Sequence, residues 1–191
     1  MSFRRTPPAR RLHIANKSDY REYFLELKED FKLRCGYCGS FDKRRNNDFE
    51  IDHFVPQRVL NEIKTNEYKN LVYSCKSCNR SKSGKWISDD ENISIVNEEG
   101  FIDPCNEEYD THFIRHTDGD INWTSNIGKW IYRELSLFNI QHTIFWLLED
   151  IRNSIDECRN IMRSEGETQE LKDCLLALYI IEEEFLNKIF K

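Results

Sequence analysis

The stretch NLVYSCKSCNRSK (70–82) places a CxxC pair where an apolar run gives way to a polar one. A matching pair, CGYC, stands at 35–38. This C-x2-C…C-x2-C pattern is typical of a tetrahedral zinc site, and four thiolate ligands leave no open position, so the zinc is expected to be structural. The 36 residues between the pairs exceed the roughly 15–20 of a simple zinc ribbon. A folded segment should therefore lie between them.

Between the cysteine pairs, FEIDHFVPQ (49–57) sets Asp52 and His53 in an apolar run that otherwise reads as a strand. Asn70 begins a second strand-like run, and Asn79 follows the last cysteine. Asp52 offers a hard anionic oxygen and Asn79 a neutral one, which together suit a magnesium-like ion. An imidazole with an ordinary pKa of about 6.5 is neutral enough near pH 7 to take a proton from water. A hairpin followed by a helix would bring these residues together.

The charge of the chain is divided unevenly along its 191 residues. Residues 1–85 hold 19 Lys and Arg against 11 Asp and Glu, a net of +8, whereas residues 86–191 hold 9 against 23, a net of −14. An even, solvated surface would not segregate charge in this way. The asymmetry suggests that the first half meets a polyanion.

The cysteines and the apolar runs limit the class of protein. The longest apolar run, LLALYII (175–181), is far shorter than the roughly 20 residues that span a bilayer. The basic N-terminus leads into no apolar signal segment, which predicts a soluble, cytoplasmic protein. In that compartment paired CxxC motifs indicate metal binding rather than disulfides. Cys158 and Cys174 lie on apolar helix faces and are expected to be inert core residues.

The organisation predicted from the sequence is α+β. Residues 1–16 form a basic N-terminal arm, 17–90 a zinc-stapled domain that begins with a helix capped by Ser18, and 91–191 a hairpin with a helical C-terminal module. Asp118 and Gly119 suit the turn of that hairpin. The last two helices carry apolar stripes of the kind that serve as core or partner surface.

Taken together, CGYC, IDHFVP and NLVYSCKSCNRSK resemble the HNH endonucleases that are bracketed by four cysteines. The signature residues of that family fall on His53, Asn70 and Asn79, the last at a position where many members have His. The resemblance covers roughly residues 33–85, less than half of the chain. It implies a ββα-metal core in the predicted zinc-stapled domain.

The resemblance also implies a mechanism for hydrolysing a nucleic acid, with DNA as the expected substrate, to 5′-phosphate and 3′-hydroxyl ends. Asp52 and Asn79 are expected to hold one Mg²⁺ or Mn²⁺ ion, and His53 is expected to activate the attacking water. Asn70 is expected to fix the hairpin loop rather than to touch substrate. Zn²⁺ on Cys35, Cys38, Cys75 and Cys78 remains structural. The sequence predicts that basic side chains near this site contact phosphates: Arg44, Arg45, Arg58, Lys76, Arg80, Lys82 and Lys85.

Two other functions remain open from the sequence alone. Taken singly, His53 could be a structural histidine, Asn70 a turn residue and Asn79 a helix cap. A zinc-stabilised nucleic-acid-binding module that does not cut would account for the remaining features, and so would a helical interaction scaffold. Residues 100–140 also resemble the C-terminal part of HNH nucleases from prokaryotic defence systems such as Septu, which implies anti-phage defence and an ATPase partner.

Overall fold

The centre of the computed structural model, which describes residues 2–44, 48–60 and 64–189, is a hairpin followed by a short helix. Strand β1 (Phe49–His53) pairs antiparallel with β2 (Leu71–Cys75), with Asp52 opposite Val72. Helix α2 (Lys76–Lys82) begins directly after β2 and contacts both strands. Every residue of β2 is buried, so this strand is the interior of the domain. The mixture of helices and small sheets agrees with the predicted α+β class.

A helical segment covers β2 from the N-terminal side. It starts as a 3-10 helix (Tyr20–Tyr23) and continues as α1 (Phe24–Asp30), which packs on β2. The N-cap is Asp19, not the expected Ser18. The Asp19 carboxylate accepts from the backbone of the first turn while Glu22 reaches back to the N-cap N–H, and this reciprocal capping box satisfies two donors that Ser18 would leave open.

Among its described residues, the second half of the chain forms two further hairpins, a 3-10 helix (Tyr109–His112) and three α-helices. The hairpin of β5 (Phe113–Arg115) and β6 (Ile121–Trp123) has the predicted Asp118-Gly119 turn, where Gly119 takes a positive φ of 88°. Ser125 caps the helix that follows by accepting from the Gly128 N–H. The elements of this half are β3 (Ile95–Val96), β4 (Glu99–Gly100), β5 (Phe113–Arg115), β6 (Ile121–Trp123), α3 (Asn126–Glu134), α4 (Ile140–Glu165) and α5 (Gln169–Ile189).

Helices α4 and α5 pack against each other as a hairpin that is only partly covered by the rest of the protein. Cys158 is buried as expected, but Cys174 is exposed: α5 lies largely at the surface, and Glu182 is the one residue of Gln169–Ile189 that is buried. Within the described ranges, no helix has both the length and the apolar character that crossing a bilayer requires.

Ion pairs within the chain account for part of its uneven charge. The N-terminal arm is irregular, as its prolines predict, yet it lies along the protein with Arg4 and Phe3 buried. Arg4 pairs with Asp110 at 2.5 Å and Arg10 with Asp103 at 2.8 Å. Other cations of residues 1–85 that pair with acids of residues 86–191 are Arg5, Arg34, Arg58, Lys64 and Lys85. The basic first half therefore meets, in part, the acidic second half of the same chain.

The ion pair of Arg34 with Glu149 provides a test of these contacts between the first and second halves of the chain. Glu149 on α4 accepts from Arg34 at 2.9 and 2.5 Å, and both side chains are largely buried. Because one charge would be left unpaired inside the protein, we expect Glu149→Gln to lower the free energy of unfolding by about 3 kcal/mol. Urea denaturation measures this change.

An exposed ion pair on the same helix provides the control. Asp156 and Arg159 lie 3.7 Å apart on the surface, with 62% and 43% of their side chains exposed, so Asp156→Asn should cost less than about 1 kcal/mol. Equal losses of unfolding free energy in the two variants would contradict the conclusion that the buried Arg34–Glu149 pair holds α4 to the first half of the chain.

Candidate functional site

The four cysteines of the two CxxC motifs converge on one buried point. The Sγ atoms of Cys35, Cys38, Cys75 and Cys78 all lie within 4.8 Å of one another, and Cys38 Sγ is 3.9 Å from Cys75 Sγ. Tetrahedral zinc with Zn–S bonds of about 2.3 Å requires S···S separations of about 3.8 Å. The cluster therefore fits structural Zn²⁺.

The backbone around the first cysteine pair is held by close packing. The N–H of Gly39 donates to the Cys35 carbonyl at 2.9 Å, with Gly39 in the left-handed region (φ 73°). A Cβ on Gly36 would lie 2.6 Å from the Phe31 ring and 2.8 Å from Val72. The knuckle therefore needs glycine at 36 because α1 and β2 approach it too closely for a side chain.

A cavity of about 260 Å³ at the end of β1 is lined by Asp52, His53 and Asn79, among others. His53 ends the strand, and α2 runs back across β1, so Asn79 is brought from 26 residues further along the chain. The expected convergence of residues 52, 53 and 79 on one cavity is thus present in the structure. Gln57 and Arg58 also line it.

The tautomer of His53 follows from its hydrogen bond. The Nε2 atom lies 2.9 Å from the carbonyl oxygen of Thr65, and a carbonyl can only accept, so Nε2 carries the proton and Nδ1 keeps a lone pair. The ring is mostly buried, and this burial lowers the pKa of His53 below its ordinary value. A neutral imidazole with a basic Nδ1 is the form that can remove a proton.

Two segments outside β1 hold the imidazole in place. The Tyr20 ring packs edge-on against the His53 ring with centroids 4.6 Å apart. Asn66 joins the two supporting segments, because its Oδ1 accepts from the Tyr20 N–H at 2.9 Å and its Nδ2 donates to the Ser18 carbonyl at 2.8 Å. Asn66 thereby fixes Thr65 and Tyr20 relative to each other and to His53.

Asp52 points to the face of β1 opposite His53 and belongs to a buried network of hydrogen bonds. Its Oδ2 accepts from the Tyr37 hydroxyl at 2.5 Å and pairs with Lys82 Nζ at 3.1 Å. Lys82 also donates to the His53 carbonyl at 2.6 Å. Burial raises the pKa of Asp52, while Lys82 and the Tyr37 hydroxyl oppose that shift. Asp52, Lys82 and Tyr37 thus form a compact polar core beneath the cavity.

This network changes the interpretation of Lys82. The sequence predicts a phosphate contact there, but the side chain is fully buried (0% exposed) and its ammonium is bound to Asp52 and to the backbone of His53. A buried lysine needs a counter-ion, and Asp52 supplies it. In this structure Lys82 holds α2 to the end of β1 and does not reach the surface.

The two asparagines differ in their surroundings. Asn79 is partly exposed and its Nδ2 donates to Glu50 Oε2 at 2.9 Å. Asn70 is buried, and its side chain bonds both backbone groups of Val55: Oδ1 accepts from the N–H at 2.8 Å and Nδ2 donates to the carbonyl at 3.0 Å. Asn70 therefore closes the loop after β1, and Asn79 faces the cavity.

The remaining predicted phosphate contacts are distributed unevenly. Arg80 is exposed and, in the part of the chain that the structure describes, pairs with no acidic group. Lys76 lies 3.4 Å from Asp48, and Lys85 lies 2.8 Å from Glu134. Arg44 ends the 3-10 helix Asp42–Arg44, whereas Arg45 lies outside the described residues. Arg58 borders the cavity and donates to the Gly84 carbonyl at 2.7 Å.

Residues 35–85 match the family model described as HNH endonuclease. The match covers 51 of the 191 residues and includes both strands, α2, all four clustered cysteines and the residues of the cavity floor. No curated protein and no solved structure shows significant similarity to the chain. The match supports a nuclease-type function in general, with nucleic acid as the substrate and a divalent metal in the chemistry.

Several residues of the site were not predicted from the sequence. Glu50 could have been found, because residues two apart in a strand share a face and Asp52 was already a candidate. Tyr37 stands inside the CGYC motif, but nothing in that motif indicates its bond to Asp52. Thr65 binds His53 through its backbone carbonyl, and Asn66 binds backbone groups distant in sequence, so neither leaves a sequence signal.

The cysteine cluster predicts one zinc ion per chain that the fold requires. Cys75→Ser should lose the metal, because three thiolates bind zinc far more weakly than four, and should lose tertiary structure with it. Elemental analysis and near-ultraviolet circular dichroism measure the two effects. Cys105→Ser, at a thiol outside the cluster, should keep both metal and fold. A fully folded, metal-free wild-type protein would contradict the prediction.

The position of Lys82 predicts a loss of stability when its charge is removed. Lys82→Met strips Asp52 of its buried counter-ion and should lower the free energy of unfolding by about 3 kcal/mol. Arg80→Ala, on the exposed side of the same helix, should change it by no more than about 0.5 kcal/mol. Thermal and urea denaturation compare the two. Wild-type stability in Lys82→Met would contradict a structural role for Lys82 and would favour the phosphate contact that the sequence predicts.

Proposed function

We propose that this protein is a metal-dependent endonuclease that hydrolyses phosphodiester bonds, with DNA as its substrate. The observation that carries the proposal is His53 with its Nε2 proton committed to the Thr65 carbonyl, in a cavity shared with Asp52 and Asn79. These residues lie within the segment that matches the HNH endonucleases.

The oxygen donors around the cavity fit a hard divalent cation. The Asp52 carboxylate and the Asn79 amide line this cavity, and the Glu50 carboxylate lies next to it, where it accepts from Asn79 Nδ2. Carboxylate and amide oxygens are the ligand types that Mg²⁺ and Mn²⁺ prefer. From the sequence, Asp52 and Asn79 are expected to hold the ion, and that assignment stays a prediction. When bound, such an ion supplies positive charge to the phosphate and to the leaving oxygen.

The contribution of His53 is proton transfer. Its unprotonated Nδ1 takes the proton of a water molecule as that water attacks phosphorus, and the imidazolium formed is stabilised because the Thr65 carbonyl continues to accept from Nε2. The lowered pKa keeps His53 neutral, and therefore ready as a base, at neutral pH. Tyr20 restricts the orientation of the ring.

Other residues position the reacting groups. Asn70 closes the loop that follows His53, and Lys82 fixes the His53 carbonyl to α2. Arg58 and Arg80 are the cations that we propose for phosphate contacts, since Arg58 lines the cavity and Arg80 is exposed on α2 next to Asn79. Lys76, Lys85, Arg44 and Arg45 stay predictions for this role, as do anti-phage defence and an ATPase partner.

A non-catalytic nucleic-acid-binding module is the second candidate. The observation that favours it is the pairing of Asp52 with Lys82, since an aspartate that already has a counter-ion can serve a purely structural purpose. Such a module would bind nucleic acid equally well after removal of divalent metal and after replacement of His53.

Cleavage of supercoiled plasmid separates these functions. Zinc-loaded protein with Mg²⁺ or Mn²⁺ should nick or linearise the plasmid, and His53→Ala should reduce the rate by about 10²–10⁴-fold because the general base is lost. His116→Ala, an exposed histidine on the β5–β6 hairpin, should keep the wild-type rate. Gel electrophoresis with and without EDTA gives the rates.

The binding of the same plasmid decides between the two candidates if cleavage fails. If folded wild-type protein does not cleave the plasmid, and its affinity for the plasmid is unchanged in EDTA and in His53→Ala, the nuclease is rejected in favour of the binding module. Cleavage that survives His53→Ala would remove His53 from the mechanism.

A further inference from the structure

The carboxylate of Asp52 is poorly placed to receive a second cation. Both of its oxygens lie near the Lys82 ammonium, Oδ2 at 3.1 Å and Oδ1 at 3.4 Å, and Oδ2 also accepts from Tyr37. Lys82 has no exposed surface and is held by the His53 carbonyl at 2.6 Å. A divalent ion on Asp52 would meet this fixed positive charge at close range, and moving the lysine would break two of its contacts.

Glu50 is in the opposite situation. It lies two residues before Asp52 in β1, on the same face of the strand, and is only partly buried. Among the described residues Glu50 has no cationic partner; its Oε2 instead accepts from Asn79 Nδ2 at 2.9 Å. Glu50 therefore contributes a carboxylate that has no ion-pair partner among the described residues, directly beside the amide of Asn79.

The space around Glu50 is open to an ion and its water ligands. A cavity of about 440 Å³ is lined by Glu50, Asn79, Tyr20 and Arg21, and the Arg21 guanidinium is paired with Asp19 at 2.9 Å. This cavity shares Asn79 and Ile51 with the cavity that contains His53. Mg²⁺ and Mn²⁺ keep several waters and need only one or two protein carboxylates. An ion at the Glu50–Asn79 pair would stand where the two cavities meet.

We infer that Glu50, together with Asn79, supplies the protein ligands for the divalent cation, and that Asp52 serves instead as the buried partner of Lys82. This inference rests on the proposed function, because it names the carboxylate that serves the same site. It gives Glu50 and Asp52, which share one face of β1, separate tasks: one binds the ion and the other holds α2 to the strand.

The binding of Mn²⁺ alone, without nucleic acid, tests the inference. The electron paramagnetic resonance signal of free Mn²⁺ gives the dissociation constant for the zinc-loaded protein. Mn²⁺ prefers oxygen ligands and does not compete for the cysteine cluster. We expect Glu50→Gln to weaken Mn²⁺ binding at least tenfold, and Asp52→Asn to change it by less than threefold. Glu107→Gln, an exposed acid distant in sequence, removes the same charge as a control and should have no effect.

Because Asp52→Asn leaves Lys82 without a counter-ion, the double variant Asp52→Asn with Lys82→Met is measured beside it. Zinc content and circular dichroism report whether each variant is folded. A tenfold or greater loss in the folded double variant, equal losses in Glu50→Gln and Asp52→Asn, or no Mn²⁺ binding by the wild type would each overturn the inference.

The outcome is distinguishable from a failure of the proposed function. Mn²⁺ binding that depends on Glu50, in a protein that cleaves no plasmid, would support the ion site and reject the nuclease. Plasmid cleavage by the wild type, with Mn²⁺ binding that depends on Asp52 and not on Glu50, would support the nuclease and reject the role of Glu50.

Discussion

The hydrogen bond from Tyr37 to Asp52 links the cysteine cluster to β1 and thereby to the cavity that contains His53. Tyr37 stands between the two cysteines of the first CxxC motif, so its position is set by the metal cluster, and its hydroxyl donates to a carboxylate that is itself paired with Lys82 of α2. Burial and the nearby Asp52 raise the pKa of Tyr37 well above its ordinary value, which keeps the hydroxyl a donor. Through these bonds the cysteine cluster helps to fix the positions of β1 and of the His53 backbone.

The cluster in turn depends on groups that lie before and after the two CxxC motifs in the chain. A zinc ion with four thiolates carries a net charge of −2. Two buried guanidinium groups donate to the backbone of the first knuckle: Arg4 to the Gly36 carbonyl, and Arg115 to the Cys38 carbonyl at 2.8 Å. Burial lowers the pKa of Arg115 to about 10, so it is still charged at neutral pH. The N-terminal arm and the β5–β6 hairpin therefore supply positive charge around a buried anionic centre.

The sequence predicted those parts of the site that repeat a local pattern. Paired CxxC motifs and the Asp52-His53 pair within an apolar run are readable because spacing and residue type alone indicate their chemistry. The sequence does not predict that the Lys82 side chain is buried, since a basic residue on a short helix is expected to face solvent. The side chain points inward because Asp52 lies beneath α2. The charge asymmetry was likewise interpreted as attraction to a polyanion, because ion pairs such as Arg4 with Asp110 cannot be seen without the fold.

The segment that resembles the HNH endonucleases does not contain everything that its histidine needs. His53 and Thr65 lie within residues 35–85, but Tyr20, which packs against the imidazole, and Ser18, which Asn66 binds, lie before that range. Glu149, far beyond it, binds Arg34 directly beside the first cysteine of the cluster. A strand pair and a short helix of this size bury little apolar surface alone. The order of the site is therefore a property of the whole fold, in which the flanking segments fix side chains that the matched segment leaves unsupported.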